Sequence, residues 1–206
     1  MPPNRHVDVC GRSARRDNGP MTTPATTTFT RMDQSTADQW AVIGAEVRDH
    51  QAQVADRVLA MLRSLDEMVD GFAVDQLTHC LQTATRAERD GADDQFVVAC
   101  LCHDVGKAVS VPNHPRIAAE ILRPYVRPEI TEVIRTHQDF QGRHYYAYFD
   151  RDPHKRERYR AEPWFALAEQ FADEWDQVSF DPDYPTFDLA HFEARVREVF
   201  AHPHGM

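Results

Sequence analysis

The sequence predicts an all-α fold built as one helical domain. Three observations carry that expectation: apolar residues recur at helical spacings from Ser35 onward, no stretch of useful length alternates with period two, and capping or breaking residues bound the runs. Layers of helix on helix are the way such a chain buries its stripes. No internal repeat is visible.

The elements follow in order. Residues 1–28 are polar and rich in Pro, Thr and Arg, a composition that cannot bury a core, and are expected to be a disordered tail; Met21 offers an alternative start. Ser35 and Asp38 resemble a capping box, Asp38 being a short version of the usual Glu. Val47, Val54, Val58, Met61, Leu62 and Leu65 continue at helical spacings until Gly71. A second helix is expected over 73–89, with Leu77, Leu81 and Ala84 as its stripe and Gly91 as its stop. A third starts near Asp93 or Asp94, and its run Phe96 to Cys102 is apolar all round, as in a central helix; a short strand is the competing reading. Asn113 is expected to cap a fourth helix with Pro115 in its first turn and Ile117, Ile121 and Leu122 inward. A fifth spans about 128–138 through Ile130, Val133, Ile134 and His137. Residues 141–160 read as charged, aromatic loop with some helix. A sixth helix after Pro163 carries Phe165, Leu167, Ala168, Phe171 and Trp175. Asp188 caps a last helix with Leu189, Phe192, Val196, Val199 and Phe200. The domain is expected to occupy 29–201, followed by a C-terminal tail, 202–206.

The net charge of -10, from 33 acidic and 23 basic residues, argues against a nucleic-acid partner. The N-terminal arginines precede no apolar run, which argues against a signal peptide, and no segment has the length of a membrane span. The four cysteines include no C-x-x-C pair. Cys100 and Cys102 sit in an apolar run, where thiols behave as small hydrophobes, so reduced thiols and a cytoplasmic location are expected.

Of the 11 histidines, His6, His202 and His204 fall in the expected tails, and His50 and His191 have no evident ligating neighbour. A lone histidine is most often a surface or hydrogen-bonded residue. His79, His103, Asp104, His114 and His137 differ, because each falls at or near a helix in the most apolar part of the chain. Helix ends meeting in a core are places where ligands converge, and imidazole with carboxylate suits zinc, iron, manganese or cobalt. In the adjacent pair His103-Asp104, the imidazole can serve one ion and the carboxylate, with two oxygens, can bridge two.

The pattern His79, then His103-Asp104-Val105-Gly106-Lys107, then a later Asp resembles the HD-domain superfamily, which contains metal-dependent phosphohydrolases. Further segments resemble its oxygenase branch. Gln76 to Ala84 is similar to the first ligand helix of inositol oxygenase and of the phosphonate-cleaving oxygenases. Residues 137–144, His-Gln-Asp-Phe-Gln-Gly-Arg-His, are similar to the segment around a late histidine ligand of inositol oxygenase. The stretch Phe171 to Phe180 resembles the helix carrying that family's last aspartate.

The resemblance implies a dinuclear site between the central helices, with His79, His103, Asp104 and Asp176 on one ion and Asp104, His114 and His137 on the other. Asp173 is the rival of Asp176. It also implies an Fe(II)/Fe(III) pair, dioxygen, and a small hydroxylated, anionic substrate whose C–C or C–P bond is cleaved. The hydrolase branch would instead use Mn, Co, Ni or Zn on a nucleotide or phosphate ester. A non-enzymatic binding module is the third reading. Lys107 matches a lysine that contacts substrate in inositol oxygenase, yet it also reads as an ordinary C-terminal lysine favoured by the helix dipole. His144 could orient a ligand from behind or, with Arg143, Tyr145, Tyr146 and Arg158, line an anion-binding lid; an ordinary charged loop is the alternative. Phosphonate-cleaving members carry a basic residue a turn before the last aspartate. Here that position is Asp173, which argues against a phosphonate.

Overall fold

A computed structural model describes residues 26–204, among which every regular element is helical and no strand occurs. The expected tail at 1–28 lies almost wholly outside the described residues, as do Cys10, His6 and the last two residues of the chain. Among the described residues no helix is long and apolar enough to cross a membrane.

The chain divides into two compact units after Asp49. The first holds a 3-10 turn, Met32–Gln34, and most of α1 (Ala37–Gln51), which buries none of its residues. The capping box lies one residue beyond the expected pair. Thr36 Oγ1 accepts from the Gln39 amide at 3.4 Å, and Gln39 Oε1 accepts from the Thr36 amide at 3.0 Å. A Gln side chain spans that return distance, while Asp38 is a methylene too short. Ser35 instead accepts from Trp40 Nε1 at 2.7 Å. The apolar series from Val47 to Leu65 is divided between α1, α2, which begins at Val54, and a 3-10 turn, Ser64–Glu67, that carries Leu65. Residues 48–53 offer no large apolar side chain to hold a continuous turn in place.

The second unit contains α2 (Val54–Arg63), α3 (Gln76–Arg89), α4 (Asp94–Cys102), α5 (His114–Leu122), α6 (Pro128–Gln141), α7 (Phe165–Gln170) and α8 (Leu189–Ala201). The helix α4 is its centre: every residue from Phe96 to Cys102 is buried, as its all-round apolarity requires. Each Val or Leu so buried contributes on the order of 2 kcal/mol, which outweighs the weak helix propensity of the β-branched valines. Around it α3 packs on α4, α5 on α6, and α8 on both α2 and α4.

Local signals set the ends. Asp75, Asp93 and Asp188 accept the backbone N–H of Thr78, Phe96 and His191 and so cap α3, α4 and α8. Gly91 closes α3 with φ +81°, as Ala92 N–H reaches Ala87 O and Gly91 N–H reaches Glu88 O. Asn113 occupies the cap position of α5 but makes no side-chain cap bond. On α5 the centre of the inward face is Ala118, Ala119 and Leu122, while Ile117 and Ile121 are only half-buried. The expected sixth helix is two segments: α7 passes directly into a π-helical turn, Phe171–Asp176.

Candidate metal centre

Five pieces of chain deliver the site. His79 lies in the first turn and a half of α3. His103 is the C-cap residue of α4, with Asp104 next to it. His114 opens α5, His137 lies in the last turns of α6, and Asp176 ends the π-helical turn. All six side chains are buried.

The four imidazoles share one hydrogen-bond scheme. The Nδ1 atoms of His79, His103, His114 and His137 lie 2.9, 2.7, 2.6 and 2.7 Å from the carbonyls of Ser179, Cys100, Val111 and Ile134. A carbonyl only accepts, so each Nδ1 carries the proton and each Nε2 presents a lone pair inward. The Nε2 atoms of His79 and His103 face each other at 3.1 Å, and those of His114 and His137 at 3.3 Å. Facing lone pairs at such distances repel, and a cation between them reverses the sign.

The carboxylates divide between the pairs. Asp104 Oδ1 is 3.0 Å from His114 Nε2 and 3.6 Å from His137 Nε2, while Oδ2 is 3.4 Å from His103 and 3.6 Å from His79. Asp176 Oδ1 stands 3.1 Å from His79 and 3.6 Å from His103. Asp104 Oδ1 and Asp176 Oδ2 are buried without a hydrogen-bond donor among the described residues. Uncompensated buried carboxylate oxygens are costly, and metal coordination is one of the few ways to satisfy them. The donor set therefore fits metal ions of the zinc, iron and manganese class. Two groupings are tight enough to surround a single ion: His79 with His103 and Asp176, and His103 with Asp104 and His137. His103 is common to both, and His114 adjoins the second through Asp104 and His137.

Burial pushes the Asp104 carboxyl up. Where protons rather than metal ions sit on the imidazoles, the charge of His103 and hydrogen bonds from His103, His114 and His137 outweigh it and hold Asp104 well below the usual carboxylate range. Burial likewise opposes the Asp176 charge, and His103, His79 and His137 lower it on balance.

Lys107 belongs to this neighbourhood. Its Nζ donates to Asp104 Oδ2 at 2.7 Å and to Gln76 Oε1 at 2.6 Å. Burial works against its charge, but the Asp104 carboxylate prevails and keeps the ammonium protonated. His144 stands elsewhere: its Nε2 lies 3.1 Å from Asp173 Oδ1, and Asp173 is paired with the buried Arg156 at 2.9 Å. The structure thus brings Asp176, not Asp173, to the histidines and leaves His144 outside the cluster.

Sequence reasoning missed several supports. Gln141 Nε2 donates to Asp176 Oδ1 at 3.0 Å. Its position four residues after His137, on the same face of α6, was the available signal. Phe180 stacks on His79 with centroids 4.2 Å apart, and Phe171 packs edge-on to His103 at 5.4 Å. Gln76 is buried, and its Nε2 has no partner among the described residues.

Comparison with known families finds one match, described as HD domain, over residues 77–181. No curated protein matches the chain. The matched span is just over half of the chain, and every donor of the cluster falls inside it. The chain therefore belongs to the HD domain family of metal-dependent enzymes, whose domains bind divalent metals.

Proposed function

We propose that this protein is a non-haem diiron oxygenase that uses dioxygen to cleave a C–C or C–P bond of a small hydroxylated substrate. The division of Asp104 between two histidine pairs carries the reading, because it suits two ions sharing one carboxylate. The oxygen chemistry is supported by the likeness of residues 76–84, 137–144 and 171–180 to inositol oxygenase and the phosphonate-cleaving oxygenases.

His79, His103, Asp104 and Asp176 would hold one iron, and Asp104, His114 and His137 the other. Bound there, an Fe(II)/Fe(III) pair supplies Lewis acidity toward a substrate hydroxyl and electron transfer with dioxygen. The chain's own residues do the rest. The buried ring of Phe171 and the half-buried ring of Phe180 shield His103 and His79 from bulk water. The Lys107 side chain, only 13% exposed, places its ammonium at the edge of the cluster with a donor for an anionic or hydroxylated substrate. Asp104 holds that ammonium protonated, so it acts as an electrostatic anchor and not as a base.

A phosphohydrolase is the second reading. A cavity of about 450 Å³ is lined by Arg116, Arg135, Lys155 and Arg158, the last two paired with Asp139, and also by Asn113, Pro115, Thr136 and Gln138, which flank His114 and His137. Such a cation-rich wall suits a phosphate ester. In that case Mn, Co, Ni or Zn would polarise the phosphoryl group and lower the pKa of a water.

Anaerobic purification with iron, metal analysis, EPR and oxygen-electrode assays separate the two. The oxygenase reading expects about two irons per chain, a mixed-valence EPR signal and oxygen uptake with a hydroxylated substrate. Full turnover in anoxic buffer, or phosphate release from a phosphoester panel with Mn or Co, would overturn it.

A further inference from the structure

The oxygens of the two carboxylates are not treated alike. Asp104 Oδ2, which faces His103 and His79, accepts from Lys107 Nζ at 2.7 Å. Asp176 Oδ1, which faces the same two histidines, accepts from Gln141 Nε2 at 3.0 Å. Asp104 Oδ1, which faces His114 and His137, has no donor among the described residues, and neither has Asp176 Oδ2. Both carboxylate oxygens on the His79/His103 side are thus held from behind, and the one on the His114/His137 side is not.

We propose that Gln141 is the positioning residue of Asp176, and that it sets the metal affinity of the His79/His103/Asp176 site without serving the other. Asp176 sits at the end of a π-helical turn, so its backbone alone leaves the carboxylate free to rotate about χ2 between its two oxygens. The Gln141 amide removes that freedom. It fixes Oδ1 toward His79 and leaves the second lone pair of that oxygen for an ion. It reaches there because residues 137 and 141 share a face of α6, so one helix supplies both a ligand for one ion and the support for a ligand of the other. A group that orients a ligating carboxylate from behind is worth about 10–100-fold in metal affinity.

This inference rests on the metal-centre reading and is independent of whether the reaction consumes dioxygen. The test is titration of the metal-free full-length chain with Co(II), read by its visible absorption and by competition with a chromophoric chelator. Gln141→Leu removes the donor at similar volume, and Gln141→Glu replaces the donor with an acceptor facing Asp176. Both are expected to weaken one of the two Co(II) equivalents about 10–100-fold and to leave the other unchanged, whatever the shift in the thermal midpoint of the metal-free protein. Gln141→His, which restores an N–H donor, is expected to recover part of the loss. Wild-type affinity for both equivalents in Gln141→Leu would overturn the proposal, and so would equal loss at both equivalents, which is the signature of a merely structural role. Wild-type protein that binds two Co(II) in this titration but, reconstituted with iron, never takes up oxygen would refute the oxygenase reading alone.

Discussion

At the scale of single residues, the site depends on one close approach. Gly106, two residues after Asp104, lies flat against the start of α5: a Cβ built there would stand 2.8 Å from His114 Cα and closer still to its carbonyl. Backbone cannot yield as a side-chain tip can. Gly106→Ala is therefore expected to cost about 1–3 kcal/mol and to separate His114 from Asp104. Urea unfolding of the metal-free variant would report the first effect, and metal content the second. Unchanged values for both would show that the α4–α5 connection tolerates a shift. The glycine in His-Asp-Val-Gly-Lys is visible in sequence, but the backbone that it approaches is eight residues away and becomes apparent only in three dimensions.

At the scale of elements, the helix that carries His79 is set by its cap. Asp75 accepts from the Thr78 amide at 2.8 Å and from the Thr78 hydroxyl at 2.7 Å. Asp75→Ala is expected to remove about 1 kcal/mol and to lower the melting temperature by about 2–4 °C, with Asp75→Asn close to wild type. Calorimetry of the metal-free protein checks this; equal loss from Ala and Asn would show that charge, not the acceptor, is what counts.

The π-helical turn was not legible in sequence. Periodicity places Phe171 and Trp175 on one helical face, and nothing local tells an i→i+4 from an i→i+5 bond. Here Gln177 N–H reaches back to Ala172 O, an i→i+5 bond, and Trp175 Nε1 is tied to Asp90 Oδ2 at 2.7 Å. The widened turn lets Phe171, Ala172, Trp175 and Asp176 all face inward. It also separates Asp176 from Asp173, which the sequence left as rivals: one ends in the histidine cluster, the other against Arg156.

At the scale of the whole second unit, ion pairs join elements distant in sequence. Glu88 of α3 accepts from Arg195 of α8 at 2.9 Å and faces His191 at the same distance. The hydrogen bond from Arg195 holds its carboxyl below the ordinary glutamate value, with burial opposing and His191 adding. A depressed folded-state pKa means that the stabilisation is fully present above the unfolded value of 4.5 and is lost as pH falls through the folded one. Glu88→Gln is thus expected to be less stable than wild type by about 0.5–1 kcal/mol near neutral pH, with the gap closing in acid. Urea midpoints of both proteins across pH 7 to 3, in metal-free buffer, measure it. A gap that persists at the acid end would assign the effect to packing and not to charge.

Short-range chemistry accounts for the part of this protein that was legible in its sequence. Helical periodicity gave the all-α class, Asp93, Asp188 and Gly91 marked the starts of α4 and α8 and the end of α3, and the His-Asp pair with its spaced histidines pointed to a metal centre. These follow from steric and hydrogen-bond rules that act within a few residues. Only the tertiary structure decided which donors meet. The pairing of His79 with His103, of His114 with His137, and the division of Asp104 between them depend on how five separate segments, α4 among them, pack together. So does the support of Asp176 by Gln141, since the two residues are remote in sequence and their hydrogen bond exists only where α6 lies against the π-helical turn.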